Sequence, residues 1–259
     1  MPTYVPAQLQ LSTLYMRQNK LDKALAVARQ LQRQPDNAAA GYSMEGDLLS
    51  ATQPQPALAA YERAFALQPT TRLMIRQHIL LSQAGRRATA DERMARWLQG
   101  RPADVEAAHY LAESALFYKE YGAAVRQLRV VLAQQPRDVA ALNNLAYAYQ
   151  QQQDPQARAT AEQALQLDGR NPAVLDTLGW ILLQEGKHER GVQLLKQAVT
   201  QSPDAPSYRY HLAYGLFQAG DRGQARKELD QALSSKLPFA QRQQALDLRK
   251  KLDGAPGTA

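Results

Sequence analysis

Residues 171–204 read NPAVLDTLGWILLQEGKHERGVQLLKQAVTQSPD, and this stretch decides the fold. In its first half, apolar residues such as Leu175 and Leu178 recur at the spacing of one helix face. Gly186 interrupts the pattern and a second apolar helical pattern follows. Pro203 ends it, because proline cannot continue a helix interior. The stretch therefore predicts two short helices joined by a turn.

Small residues indicate where these two helices touch. Gly179 lies on the first helix, and Gly191 and Ala198 lie on one face of the second. A larger side chain at such positions would push the helix axes apart, since the distance between packed helices depends on the side chains at the contact. The sequence therefore predicts a closely packed antiparallel pair.

The same pattern recurs along the whole chain, because helix-breaking residues return at spacings of 34, 33, 34, 33, 34 and 34 residues. These residues are Pro35, Pro69, Pro102, Pro136, Gly169, Pro203 and Leu237, which Pro238 follows. A fixed period of this length is typical of repeat proteins. It predicts seven helix–turn–helix units over residues 4–238. A capping helix is expected at residues 239–252, and a disordered tail at residues 253–259.

With this repeat in place, the sequence resembles the tetratricopeptide repeat family, whose unit is a 34-residue helix–turn–helix. The resemblance implies an all-α fold, namely a right-handed superhelical solenoid of about seven such units with a C-terminal capping helix. It also implies that the first helix of each pair lines a concave groove, and that this groove binds peptides or other protein segments.

Composition and motifs argue against catalysis. The 259 residues contain no cysteine, which excludes disulfides, thiolate metal sites and cysteine nucleophiles. The four histidines fall in different repeats without metal-ligand spacing, and no nucleotide-binding glycine motif or serine nucleophile elbow occurs. No run of apolar residues is long enough to span a membrane. We therefore predict a protein that is not an enzyme and that has no cofactor and no metal site.

The net charge of +7 is concentrated in one region. Residues 71–101 contain seven arginines against Asp91 and Glu92. We expect a solvated charged surface there, and the alternative is an acidic partner bound at Arg72 and Arg76, on or beside the groove. Nucleic-acid binding would require basic residues interleaved with exposed aromatic residues on one face, and the aromatic residues lie mainly in the fourth to seventh copies. A nucleic-acid partner is therefore not predicted.

The resemblance carries the family's groove over to specific positions of the first helices. They are His109, Tyr110, Glu113, Phe117, Asn143, Asn144, Tyr147, Gln150, Asp176, Thr177, Trp180, Tyr210, His211 and Tyr214. Tyr147, Trp180 and Tyr214 occupy equivalent places in consecutive repeats, which predicts an aromatic ladder in the groove. The alternative is that these rings pack between neighbouring first helices.

Asn144 matches the position where peptide-clamping members of the family carry an asparagine. Such clamps also use basic residues of adjacent first helices, and the neighbouring positions here hold Glu113 and Gln150 instead. A clamp for a chaperone-tail carboxylate is therefore not expected.

The third copy departs most from the pattern, because His78 and Trp97 stand where the other copies have small residues. We expect a local packing adjustment around these two rings. The alternative is that they form a hinge or a pocket for a partner.

Two short runs suggest a narrower resemblance. LDTLGW at residues 175–180 and YRYHLA at residues 208–213 resemble the C-terminal repeats of the lipoprotein that accompanies the PEP-CTERM/exosortase sorting system. This resemblance implies a scaffold that tethers bacterial exopolysaccharide, biofilm or envelope-assembly machinery, in the periplasm or anchored to the outer membrane. It assumes that the chain is a segment of a longer protein, as its start within a helical pattern suggests.

Two other functions remain open. If the chain is complete as given, it could be a cytoplasmic peptide-binding adaptor or co-chaperone. The other hypothesis is that the aromatic ladder binds a glycan directly.

Overall fold

The computed structural model describes residues 4–254, and most of them lie in helices. The α-helices are α1 (Val5–Arg17), α2 (Leu21–Gln32), α3 (Ala38–Leu49), α4 (Pro54–Leu67), α5 (Thr71–Gln83), α6 (Arg87–Gln99), α7 (Val105–Phe117), α8 (Tyr121–Gln134), α9 (Val139–Gln151), α10 (Gln156–Leu167), α11 (Pro172–Gln184), α12 (His188–Gln201), α13 (Pro206–Gln218), α14 (Arg222–Ser234) and α15 (Arg242–Asp253). A short 3-10 helix at Pro35–Asn37 precedes α3. Residues 4–254 contain no β-strand, which confirms the all-α fold class.

The helix-breaking residues of the repeat lie in the connections between helix pairs. Pro69 lies between α4 and α5, Gly169 between α10 and α11, and Pro203 between α12 and α13. After the last pair, α15 packs on α14. From residue 255 onward, the tail expected to be disordered lies outside the described residues.

The described chain falls into two compact units, which divide within α7 between Tyr110 and Leu111. In the first unit, α1 to α6 pack consecutively around buried side chains such as Tyr61 and Leu81. In the second unit, α8 to α15 pack consecutively around Leu178, and the first helix α11 also touches the first helices α9 and α13 directly.

The predicted close pair is confirmed at α11 and α12. A Cβ atom built on Gly179 would lie 3.1 Å from the Gly191 carbonyl oxygen and 2.8 Å from Leu195 Cγ. A Cβ atom built on Gly191 would lie 2.9 Å from the Gly179 carbonyl oxygen. These separations are too short for a side chain, so the two helix backbones are in direct contact.

The turn inside a helix pair contains one residue in the left-handed region in six of the described pairs. The residue is glycine at Gly85, Gly186 and Gly220, with φ between 73° and 85°. It is Asn19, Lys119 or Gln153 in three other pairs, with φ between 55° and 60°. The repeat therefore fixes a backbone conformation here and does not require one residue type.

Candidate functional site

The second unit carries a groove of about 640 Å³, which we call the second-unit groove. It is lined by residues of α9, α11 and α13, by the start of α8 and by the segment that leads into α15. The lining residues are Lys119, Tyr121, Tyr147, Gln150, Gln151, Asp176, Thr177, Trp180, Ile181, Ser207, Tyr210, His211, Pro238, Phe239, Ala240, Gln241 and Gln244. First helices of consecutive pairs thus supply most of its wall.

A buried histidine–aspartate pair lies at the centre of this groove. His211 Nδ1 is 2.8 Å from Asp176 Oδ1 and 3.0 Å from Oδ2, and both residues are less than a tenth exposed. The pair joins α13 to α11 and fixes the imidazole, since an ionised carboxylate only accepts hydrogen bonds. Trp180 stacks on the imidazole with ring centroids 4.3 Å apart and an angle of 27°. The Trp180 indole is therefore held in place from one side.

The rings of the predicted aromatic ladder fall into two separate groups, one around Trp180 and one around Tyr147. Trp180 contacts Tyr214, with ring centroids 5.2 Å apart, and Tyr210 at 6.3 Å. Tyr147, which is 39% exposed, packs edge-on against Tyr121 at 6.1 Å. Trp180 and Tyr214 both pack against the core of the second unit, and Trp180 also lines the groove together with Tyr147, whereas Tyr214 does not.

The phenols of Tyr147 and Tyr210 stay neutral well above physiological pH. Burial, together with the hydrogen bond and proximity to Tyr121, raises the pKa of Tyr147 to about 12. Burial and the neighbouring Tyr214 raise the pKa of Tyr210. The neutral hydroxyl groups can both donate and accept hydrogen bonds.

The remaining residues of the predicted groove fall into several positions. Gln150, Asp176 and Tyr210 line it, together with Thr177 and His211. Asn143 and Asn144 are half-buried on α9, and the Asn143 side-chain oxygen is buried without a hydrogen-bond partner among the described residues.

The predicted residues on α7 and α5 lie elsewhere. His109 is half-buried on α7, Glu113 is exposed there, and Phe117 is 79% exposed with its ring edge-on to Tyr118. Arg72 and Arg76 belong to α5 of the first unit. Arg72 is exposed, whereas Arg76 forms an ion pair with Asp47 at 3.5 Å.

Sequence reasoning missed the segment at residues 238–244, which lines one edge of the groove through Pro238, Phe239 and Gln241. It had been expected only to cap the last repeat. Phe239 directly after Pro238 was the one available signal, since an aromatic residue next to a helix break often packs on a neighbouring surface.

Two His–Asp pairs within residues 4–254 were also missed. His211 pairs with an aspartate of the preceding repeat, and His78 pairs with Asp91 on the second helix of its own repeat, at 2.9 Å. Neither spacing resembles a sequence motif. Within residues 4–254, no three His, Asp or Glu side chains are grouped so that they could hold a metal ion. No described helix has the length and apolar character that a membrane span needs.

Comparison with known proteins identifies the repeat. Two family models, both described as tetratricopeptide repeat, match residues 155–206 and residues 182–246. A TPR repeat-containing protein of Pseudomonas aeruginosa is 36% identical over 81 residues, which is 30% of this chain. The chain spans only 14% of the length of that relative.

Solved structures extend the likeness beyond these segments. A tetratricopeptide repeat protein from Parabacteroides merdae is similar over 95% of this chain and 98% of its own, with a TM-score of 0.67 and 14% identity. YrrB, described as a TPR protein with an unusual peptide-binding site, covers 74% of this chain and 99% of its own, with a TM-score of 0.54 and 16% identity. At these identities the likeness shows the fold. The chain thus has the fold of tetratricopeptide repeat proteins, and such repeats are recognised within residues 155–246.

Proposed function

We propose that this protein is a non-catalytic scaffold that binds a segment of a partner protein in the second-unit groove. The observation that carries the proposal is the position of the groove on the first helices α9, α11 and α13, where half-buried aromatic rings and amide side chains surround a fixed His–Asp pair. Tetratricopeptide repeat proteins generally mediate protein–protein interaction, and the groove has the chemistry for that role.

The lining suits a polypeptide in an extended conformation. Gln150, Gln151, Gln241 and Gln244 each provide both donors and acceptors, which match the N–H and C=O groups of a peptide backbone. Trp180 offers a flat apolar surface beside them. Aromatic side chains with a polar edge are frequent anchors of protein interfaces.

The surroundings of His211 favour binding over catalysis. Its pairing with Asp176 resembles the orientation of a general base, and Ser207 lines the same groove. In the described chain, however, no hydrogen bond joins the Ser207 hydroxyl to the imidazole, as a nucleophile–base pair would require. Trp180 also stacks on the ring. We therefore assign the pair a structural role, namely to hold the indole.

We further propose that the partner belongs to a bacterial exopolysaccharide or envelope-assembly system. The support is that both runs with this resemblance contribute to the groove, LDTLGW through Asp176 and Trp180, and YRYHLA through Tyr210 and His211. Such a partner would place the protein in the periplasm or at the outer membrane. A signal peptide with a lipobox cysteine at the start of the full-length gene would support this location. Its absence would contradict it and would leave the cytoplasmic adaptor, which no observation in the groove favours.

The test of the binding groove is affinity capture from separated envelope and cytosolic fractions, with Trp180→Ala compared with the wild type. Loss of the indole should weaken capture of the specific partner about tenfold or more, as expected for an aromatic anchor. Phe117→Ala, which removes an exposed ring outside the groove, is the matched control and should capture normally. Equal capture by Trp180→Ala would overturn the proposal.

Stability must be measured on the same variants. If Trp180→Ala loses cooperative thermal unfolding, the indole is part of the core. The binding test then passes to Tyr147→Ala, because the Tyr147 ring is more exposed.

A further inference from the structure

The first unit has a second groove, which we call the first-unit groove, of about 670 Å³ between α4, α5 and α6. Its apolar surface is formed by Phe65 of α4, Met74 of α5 and Trp97 of α6. These elements are distinct from the helices that form the second-unit groove, so a ligand here would bind independently of that site.

Trp97 is fixed at this groove by contacts on several sides. Its ring meets Phe65 edge-on, with centroids 5.4 Å apart, and its indole N–H donates to Asp104 Oδ2 at 3.0 Å. The Arg101 guanidinium lies 3.7 Å from the ring centroid, which is a close cation–π contact. The groove therefore places a positive group directly beside the Trp97 ring, which is well packed and only 8% exposed.

The charge at the groove is predominantly positive. Three arginines line it, namely Arg93, Arg96 and Arg101, against the single carboxylate of Glu62. Glu62 accepts a hydrogen bond of 2.7 Å from Arg93. Arg96 is well exposed, and its ion pair with Glu92 is a solvent-screened contact of 3.6 Å. Arg96 and Arg101 are therefore accessible to an anionic group on a ligand.

A buried donor without a partner also lines this groove. Gln77 is only 3% exposed, and its side-chain oxygen accepts from Arg93 Nη1 at 3.3 Å, which orients the amide. The amide nitrogen at the other end is buried and has no hydrogen-bond partner within the described part of the chain. A buried donor left unsatisfied is costly, so an acceptor brought by a ligand would be favourable here.

We propose that the first-unit groove binds an acidic segment of a partner protein, with an apolar side chain on Trp97 and Phe65. Its carboxylates would pair with Arg96 and Arg101, and an acceptor of the segment would meet the Gln77 amide. This assigns the acidic partner a different place from Arg72 and Arg76. Arg76 and Arg96 both have a carboxylate partner, but the Arg76 side chain is only 39% exposed, whereas that of Arg96 is 65% exposed. It also makes Trp97 of the third repeat part of the wall of a partner-binding pocket.

The test uses the full chain and a fluorescein-labelled peptide, GSEEFEEGS, followed by fluorescence anisotropy. We expect saturable binding with a Kd of about 10 to 100 µM, an ordinary value for a short flexible ligand. The amide counterpart GSQQFQQGS should bind at least about tenfold more weakly, because the charge-assisted contacts are lost. Binding should also weaken as salt is raised. GSEEAEEGS should lose about fivefold, because it lacks the apolar anchor.

Two double variants with the same charge change locate the site. Arg96→Gln with Arg101→Gln should weaken GSEEFEEGS at least about tenfold, whereas Arg72→Gln with Arg86→Gln, in the same repeat but outside the groove, should change it less than about threefold. Trp180→Ala should leave it unchanged, which separates this site from the second-unit groove. Unaltered thermal unfolding of both double variants confirms that they are folded.

Several outcomes would overturn the proposal. They are the absence of saturable binding, equal binding of GSQQFQQGS, and equal weakening by the two double variants. A labelled nine-nucleotide oligothymidylate that binds as tightly as the peptide would also overturn it, because the surface would then recognise negative charge alone.

Discussion

The third repeat and the sixth repeat solve the same packing problem in opposite ways. At one repeat position the sixth has Gly179, which lets α11 and α12 touch through their backbones, and the third has the imidazole of His78. His78 is 2% exposed, and its nitrogens lie 2.6 Å from the Tyr110 hydroxyl and 2.9 Å from Asp91. One repeat therefore gains close backbone contact, whereas the other replaces it with a buried hydrogen-bond network.

A second position extends this contrast. Ala198 is fully buried at the crossing of the sixth repeat, and Trp97 stands at the equivalent place in the third. The indole lines the first-unit groove and donates to Asp104. The comparison shows that a repeat tolerates large residues where its two helices cross, provided that the polar atoms of those residues find hydrogen-bond partners. The helices then pack less closely, and a groove can remain between them.

The largest expected effect comes from replacing Gly179 of the sixth repeat with histidine, the residue that the third repeat has at the equivalent position. Gly179→His should lower the free energy of unfolding by at least about 3 kcal/mol, because its Cβ alone would lie within 3.1 Å of the Gly191 backbone. Urea denaturation followed by circular dichroism measures this. Gly223→His is the matched control on α14, where a Cβ meets only Asp221 Oδ1 at 3.9 Å, and it should be nearly neutral. A mild effect of Gly179→His would show that the pair can separate cheaply.

Emptying the crossing of the third repeat should have the next largest effect. His78→Ala removes the hydrogen bonds to Tyr110 and Asp91, and a longer one of 3.4 Å to Ser82, and leaves a cavity in a buried site. We therefore expect a loss of about 2 kcal/mol in the free energy of unfolding. Tyr110→Phe removes only one of these hydrogen bonds and should cost about half as much. If His78→Ala unfolds like the wild type, neither the hydrogen bonds nor the packing of the imidazole stabilises the repeat, which would contradict the contrast with Gly179.

The helix pairs of both repeats follow from the sequence, because apolar spacing and helix breakers are local signals. The close contact at Gly179 and Gly191 was predictable as well, since only small residues permit it. The partners of His78 were not, because they depend on how α5 is rotated relative to α6 and on the start of α7. A histidine's acceptor 13 positions away leaves no pattern that spacing rules can detect.

In the candidate sites, too, some features follow from local sequence signals and others depend on contacts between distant residues. Trp180 and Asp176 could be placed in the second-unit groove from their repeat positions alone. The Arg76–Asp47 pair, which neutralises a predicted acidic-partner site, joins two different repeats. The Gln77 amide nitrogen, which has no hydrogen-bond partner among residues 4–254, is visible only in three dimensions. Repeat position therefore agrees with the groove lining at Trp180 of α11 but not at Phe117 of α7, and it does not predict which residues are already paired.

A third prediction concerns the carboxylate that anchors Trp97. Burial alone would raise the pKa of Asp104, but hydrogen bonds from the Ala107 N–H, Thr71 and Trp97, together with the charge of Arg101, lower it below its ordinary value. A lowered pKa in the folded state stabilises the protein above the unfolded pKa of about 4 and loses that contribution as the pH falls further.

Asp104→Asn keeps an oxygen at the start of α7 but removes the charge. We expect the variant to be about 1 kcal/mol less stable near pH 7, a modest effect because solvent screens this partly exposed group. The difference should close between about pH 4 and pH 2. Denaturation curves at several pH values measure it, and a gap that stays constant into acid would contradict the assignment.

The smallest expected effect comes from substituting the turn glycines of the third and sixth repeats. It should be equal in both, because the two turns have the same conformation although the helix pairs pack differently. Gly85 has φ 73° and Gly186 has φ 76°, and a Cβ at either would meet nothing within 4 Å. Alanine at each position should therefore lower the free energy of unfolding by about 1 kcal/mol, from backbone strain alone.

At Gln153, with φ 58°, the converse change to glycine should be slightly stabilising or neutral, since relief of strain offsets the added freedom of the unfolded chain. If Gly186→Ala cost much more than Gly85→Ala, the close crossing of α11 and α12 would be stiffening its turn. The two halves of the repeat would then not be independent.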